Sequence, residues 1–135
     1  MPTLNHIAVL VPSVDEAAAT FSKVWGLEPH EIVTIEKQGI RTATYRFDNI
    51  VVELMEPYGE NSVVAKSLEK KGPCIHHMAV EVDDAGQRMA SLKADGLQFT
   101  TNEPSMGLSD SMVCFLHPKC THGILTELVQ PAKER

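Results

Sequence analysis

The sequence has few cysteines, few basic residues and no long apolar run, and each shortage narrows the possible functions. Its three cysteines are odd in number and lack a C-x-x-C spacing, which is typical of reduced thiols in the cytoplasm rather than of a disulfide framework. No apolar stretch approaches the roughly 18 residues of a membrane span, and Met1 to Asn5 lacks the basic start of a signal peptide. We therefore expect a cytoplasmic protein that has no membrane partner.

The charge balance argues against a nucleic-acid partner. There are 12 Lys and Arg against 18 Asp and Glu, a net charge of −6, and no basic stripe that would neutralise phosphates. At 135 residues with 43% hydrophobic residues, the chain can bury one ordinary core. We therefore expect one domain over residues 1–135.

Two segments occur twice along the chain, once in each half. The segment LNHIAV at 4–9 aligns with IHHMAV at 75–80, and IVVELMEP at 50–57 aligns with ILTELVQP at 124–131. Each copy of the first segment carries a His, and each copy of the second carries a Glu, at the matching place. An internal repeat of this kind predicts a duplicated fold.

The predicted elements follow the same order in both halves. Ser13 is a good helix N-cap and Gly26 a good helix end. In the second half, Asp83-Asp84 cap the helix and Gly96 ends it. Alternating, branched segments predict strands at 6–11, 31–36, 41–47 and 50–56 of module one (4–57), and at 78–82, 97–101, 112–116 and 124–129 of module two (75–131). The connector (58–74) contains a short helix. We expect an α+β fold in which two tandem β-α-β-β-β modules form a partly closed mixed barrel.

The repeated His and Glu residues predict a metal site. A carboxylate on an apolar strand is costly to bury unless it is paired or bound to a metal, and Glu53 and Glu127 both lie in apolar strands. A duplicated fold would bring His6, Glu53, His77 and Glu127 together about a pseudo-twofold axis. Such a set suits divalent cobalt, zinc, nickel or manganese and leaves positions open for a chelating substrate. Alternatively, both Glu side chains point to solvent from edge strands, which strand alternation alone permits.

The residues around these positions resemble the vicinal oxygen chelate superfamily, which includes glyoxalases and bleomycin resistance proteins, and within it the methylmalonyl-CoA epimerase family. The likeness runs from Leu4 to Gln130. The repeated His and Glu positions mark only the superfamily. The segments E-x-Q-G-x-R at 36–41 and F-L-H-P-K at 115–119 point to the epimerases.

This resemblance implies a metal-dependent isomerase that interconverts the 2R and 2S forms of methylmalonyl-CoA. It implies that the four residues named above are the metal ligands, and that Glu36 and Glu127 are two proton-transfer carboxylates, one on each face of the substrate. It also implies that Gln38 and Lys119 contact the acyl-CoA thioester, and that the protein is a homodimer.

One segment departs from the family's pattern. The family usually has a glycine-rich stretch with a basic residue before F-L-H-P-K, whereas this chain has SMGLSDSM at 105–112, where Asp110 adds negative charge. Two other functions therefore stay open. A glyoxalase I-like lactoylglutathione lyase would use the same ligands on a glutathione hemithioacetal. A non-catalytic member that binds small molecules would be of the kind that sequesters bleomycin-like drugs.

Overall fold

The computed structural model describes residues 1–133, and over that range the chain has eight strands and three α-helices. The strands are β1 (Leu4–Leu10), β2 (Glu31–Ile35), β3 (Ile40–Arg46), β4 (Val51–Pro57), β5 (Cys74–Glu81), β6 (Ser105–Met106), β7 (Met112–Leu116) and β8 (Thr126–Gln130), and the helices are α1 (Val14–Trp25), α2 (Val63–Lys71) and α3 (Ala85–Ala94). Residues 134 and 135, the end of the predicted domain, lie outside the described residues. None of the described helices is long and apolar enough to cross a membrane.

The chain groups into two compact units. The first unit is His6–His76, and the second is Met1–Asn5 together with the chain from His77 onward. In the first unit the strand order is β2-β3-β4-β1, with β1 parallel to β4 and the other pairs antiparallel. In the second unit the order is β5-β8-β7-β6, with β5 parallel to β8. Strand order and direction therefore repeat between the units, as the duplication predicted.

In the first unit, α1 covers one face of the sheet. As predicted, the helix starts at Ser13, whose hydroxyl accepts the Glu16 N–H at 3.2 Å, and ends at Gly26 in the left-handed conformation (φ 63°). The core beneath it contains Val11, Val14, Ala18, Ala43, Tyr45 and Leu54. Helix α2 packs against the opposite face, at the end of β1 and β4 that holds Leu10 and Met55. His6 and Glu53 lie at the other end of that face.

In the second unit, α3 covers the corresponding face. Its N-cap is Asp84, whose carboxylate accepts the Gln87 N–H at 2.9 Å. The core beneath it contains Val82, Ala85, Met89, Cys114, Leu116 and Leu128. Alternation along β5 and β8 then places His77, Ala79 and Glu127 on the face away from α3. Each unit therefore presents a His and a Glu on the sheet face that its own capped helix does not cover.

The strand predicted at 97–101 is wrong. Only an isolated bridge joins Phe99 to Leu116 there, and the strand that pairs with the start of β7 is β6, further along the chain. The side chain of Thr101 donates to the backbone oxygen of Glu103 at 2.8 Å, and Pro104 has no N–H to offer a ladder. The backbone between the bridge and β6 therefore leaves the sheet and rejoins it at Ser105.

Candidate functional site

The second unit contains a buried pair of a histidine and a carboxylate. Ala79 on β5 lies opposite Glu127 on β8, and His77, two residues earlier on β5, shares their face. The His77 Nε2 and Glu127 Oε1 atoms are 3.4 Å apart, and the two residues are only 7% and 6% exposed. A carboxylate buried this deeply is costly to the fold unless it has a partner, and the His77 imidazole is one such partner.

An aromatic ring packs against His77. Phe115 on β7 lies opposite Glu127 in the register, and its ring meets the His77 imidazole edge to face, with centroids 5.2 Å apart and planes at 88°. Phe115 belongs to the F-L-H-P-K segment, but its contact with His77 follows from strand register, which the sequence alone did not predict. This edge-to-face arrangement is one that aromatic pairs favour.

The first unit carries a His and a Glu at the equivalent strand positions. Ala8 on β1 lies opposite Glu53 on β4, so His6 shares the face of Glu53 by the same two-residue step that joins His77 to Ala79. Both residues are half-buried. Because β4 lies between β3 and β1, and β8 between β7 and β5, the alternative in which both Glu residues sit on edge strands is wrong.

Glu36 and Gln38 lie in a short 3₁₀ turn (Glu36–Gln38) between β2 and β3 of the first unit, and both are exposed. Gly39 ends the turn in the left-handed conformation (φ 65°), and its N–H donates to the Glu36 backbone oxygen at 3.1 Å. The Gly39 oxygen accepts the Tyr58 N–H at 2.8 Å. The turn is therefore fastened to the chain that follows β4.

Lys119 lies in a second 3₁₀ turn (Pro118–Thr121), in the second unit, and is exposed. The His117 Nδ1 accepts the Lys119 backbone N–H at 3.2 Å, so the turn holds the backbone while the ammonium group faces solvent. In the divergent 105–112 segment, Ser109 and Asp110 both adopt positive φ angles (54° and 59°), which non-glycine residues rarely do.

A family model for the Glyoxalase/Bleomycin resistance protein/Dioxygenase superfamily matches residues 5–115, and the chain belongs to this superfamily. Its relatives include the mitochondrial methylmalonyl-CoA epimerase of Dictyostelium discoideum, 34% identical over 127 residues that cover 93% of this chain and 76% of that protein. The ethylmalonyl-CoA/methylmalonyl-CoA epimerase of Cereibacter sphaeroides is 36% identical over 129 residues, 94% of this chain and 96% of that protein. The resemblance to methylmalonyl-CoA epimerases is therefore confirmed.

Solved structures of epimerases match as well. The methylmalonyl-CoA epimerase of Mycobacterium tuberculosis has a TM-score of 0.89 at 32% identity, covering 97% of this chain and 89% of that one. A Streptomyces coelicolor methylmalonyl-CoA epimerase in complex with 2-nitronate-propionyl-CoA has a TM-score of 0.89 at 32% identity, covering 97% of this chain and 98% of that one. The predicted α+β fold class is confirmed.

Proposed function

We propose that this protein is a metal-dependent isomerase that interconverts the 2R and 2S forms of methylmalonyl-CoA by moving the α-hydrogen between two carboxylates. The observation that carries the proposal is the buried pair His77 and Glu127, repeated by His6 and Glu53 in a chain whose relatives are named methylmalonyl-CoA epimerases. This function accounts for a buried carboxylate that would otherwise be a cost to the fold.

We propose that His6, Glu53, His77 and Glu127 hold one divalent ion. The residues fit such an ion in donor chemistry, because imidazole nitrogens and carboxylate oxygens suit cobalt, zinc, nickel and manganese, and His6, His77 and Glu127 each offer one ligand atom. A single pair supplies too few ligands for a stable protein site, which favours the use of both pairs. When bound, the ion would supply Lewis acidity that makes the α-hydrogen of the thioester easier to remove.

Two carboxylates carry the proton in this proposal. Inverting a carbon centre by proton transfer needs one group on each face, one to remove the hydrogen and one to deliver another. Glu36 lies in a turn of the first unit, and Glu127 lies on an interior strand of the second. The two carboxylates are therefore held by different elements of the fold. A carboxylate has two oxygens, and Glu127 can therefore act both as ligand and as proton carrier. In the reverse reaction the two residues exchange roles.

Gln38 and Lys119 are the proposed substrate contacts. Gln38 shares the turn of Glu36, so its amide can donate to a thioester or carboxylate oxygen beside that base. The exposed ammonium of Lys119 suits a phosphate of coenzyme A. We also propose that the protein is a single domain that forms a homodimer in the cytoplasm. The cytoplasmic location is supported by three free thiols, those of Cys74, Cys114 and Cys120.

The test is proton exchange. Protein loaded with Co²⁺ is given methylmalonyl-CoA of one configuration in deuterated water, α-deuterium is followed by NMR, and configuration is followed with stereospecific coupling enzymes. We expect deuterium uptake with inversion. Glu36→Gln should block inversion, whereas Lys37→Gln, an exposed neighbour in the same turn, should leave it within about twofold.

Other outcomes would contradict the proposal and identify the alternatives. Turnover of the methylglyoxal–glutathione hemithioacetal, with no exchange in methylmalonyl-CoA, would indicate a lactoylglutathione lyase. Stoichiometric metal without turnover of either compound would indicate a binding protein. Ethylmalonyl-CoA belongs in the same assay, since one relative is named for both acyl groups.

A further inference from the structure

Arg41, the last residue of the E-x-Q-G-x-R segment, joins three elements of the first unit. Its guanidinium donates to Glu56 on β4 at 3.1 Å and pairs with Asp15 in the first turn of α1 at 3.0 Å. The same Glu56 oxygen accepts the Val14 N–H at 3.2 Å. Hydrogen bonds to Asp15 and Glu56 raise the pKa of Arg41. By alternation its side chain lies on the α1 face of β3, away from the face of His6 and Glu53.

In the second unit an uncharged amide joins the start of the helix to the sheet. The Gln130 Oε1 accepts the Ala85 N–H at 2.9 Å, as Glu56 accepts the Val14 N–H in the first unit. Met112 lies opposite Gln130 in the register, just as Arg41 lies opposite Glu56. An amide is therefore enough to fasten the helix to the sheet, and the ion pairs of the first unit need another explanation.

The difference between the units lies in where each carries its proposed proton-transfer residue. Glu127 lies on an interior strand, hydrogen-bonded to neighbours on both sides. Glu36 lies in the turn of the β2–β3 hairpin, and that hairpin has a free edge within the first unit at β2. Arg41 is the second residue of β3 and lies opposite Thr34 of β2, so its ion pairs hold the base of the hairpin that carries Glu36.

We propose that Arg41 is a positioning residue for proton transfer. It holds the β2–β3 hairpin against α1 and β4, and thereby keeps the Glu36 carboxylate in place beside the α-carbon. It contacts no substrate and acts through the backbone of the hairpin. This inference rests on the proposed epimerase function. It predicts that loss of Arg41 slows proton transfer more on the substrate face served by Glu36 than on the other face.

The experiment measures deuterium exchange separately for the two epimers. In deuterated water each epimer exchanges its α-hydrogen through the carboxylate on the side where that hydrogen lies. In Glu36→Gln, the epimer whose exchange is lost is the one that depends on Glu36. The variants under test are Arg41→Gln and Glu56→Gln, the latter because it copies Gln130 and keeps an acceptor for the Val14 N–H. Arg46→Gln, at the exposed far end of the same strand, is the matched control.

In Arg41→Gln and Glu56→Gln we expect inversion, and exchange into the epimer that depends on Glu36, to fall about 10- to 100-fold, since small displacements of a catalytic group cost rates of that order. Exchange into the other epimer should change by less than about twofold. Arg41→Lys should recover part of the loss, and Arg46→Gln should match the wild type.

Equal losses for both epimers in Arg41→Gln, accompanied by a lower Tm, would overturn the inference and make Arg41 a purely structural residue. Unchanged exchange in Arg41→Gln and Glu56→Gln would overturn it as well. A wild-type protein that exchanges neither epimer would instead contradict the proposed function, so the two failures are distinguishable.

Discussion

Replacing Gly39 with alanine should both destabilise the protein and displace Glu36. Gly39 has φ 65°, and a Cβ there would lie 2.8 Å from the Cα of Ser62 and 3.2 Å from the backbone oxygen of Tyr58. Left-handed backbone costs an alanine about 1–2 kcal/mol, and overpacking against backbone adds about 1–3 kcal/mol. We expect a total loss of about 2–5 kcal/mol in the free energy of unfolding.

The control is Gly26→Ala. Gly26 has nearly the same φ, 63°, but no described atom lies within 4 Å of the position that its Cβ would take. This variant should lose only the conformational part, about 1–2 kcal/mol. The difference between the two variants in urea unfolding therefore measures the clash with Ser62 and Tyr58.

The kinetic expectation separates the variants further. The turn that carries Glu36 must move away from Ser62 to admit a methyl group at Gly39, so inversion of methylmalonyl-CoA by Gly39→Ala should fall by about 100-fold at a temperature where the protein is folded. Gly26→Ala should keep wild-type inversion. Equal unfolding free energies for the two variants would show that the added methyl group does not clash with Ser62. Wild-type inversion by Gly39→Ala would show that the turn does not position Glu36.

Three other predictions follow from buried groups. Thr42→Val should raise the free energy of unfolding by about 1 kcal/mol, because the buried Thr42 hydroxyl has no hydrogen-bond partner among the described residues; a lower urea midpoint would contradict this. Burial, followed by the charge of Glu127, raises the pKa of the Cys114 thiol. At pH 8, iodoacetamide should therefore modify Cys74 and Cys120 faster than Cys114. Equal modification rates for the three thiols in the folded protein would contradict this prediction. Removing divalent ions with a chelator should lower Tm. Adding Co²⁺ at about 1,000 times its Kd should then raise the free energy of unfolding by about 4 kcal/mol, and a Tm that is insensitive to Co²⁺ would argue against the metal site.

Features that depend on near neighbours along the chain were predictable from the amino-acid sequence. The caps at Ser13 and Asp84 form within one helical turn, so residue type and spacing were enough to predict the start of α1 at Ser13 and that of α3 at Asp83-Asp84. Alternation along a strand is equally local, and the repeat places a His and a Glu at equivalent positions in the two halves. The helices, most strands and the candidate ligands His77 and Glu127 were therefore predictable from residue type and spacing.

Features that depend on residues far apart in the sequence are visible only in the folded protein. Only strand register shows that Ala79 lies opposite Glu127, which brings His77 within 3.4 Å of that carboxylate and buries both. The partners of Arg41 come from α1 and β4, and no local pattern predicts them. Phe99 lies in a segment with strand-like residues, yet it forms only a bridge, because just beyond it the Thr101 side chain donates to the Glu103 backbone oxygen and Pro104 has no N–H. The physical reason is that capping and alternation act over a few residues, whereas register and ion pairs depend on which distant strands the whole chain brings together.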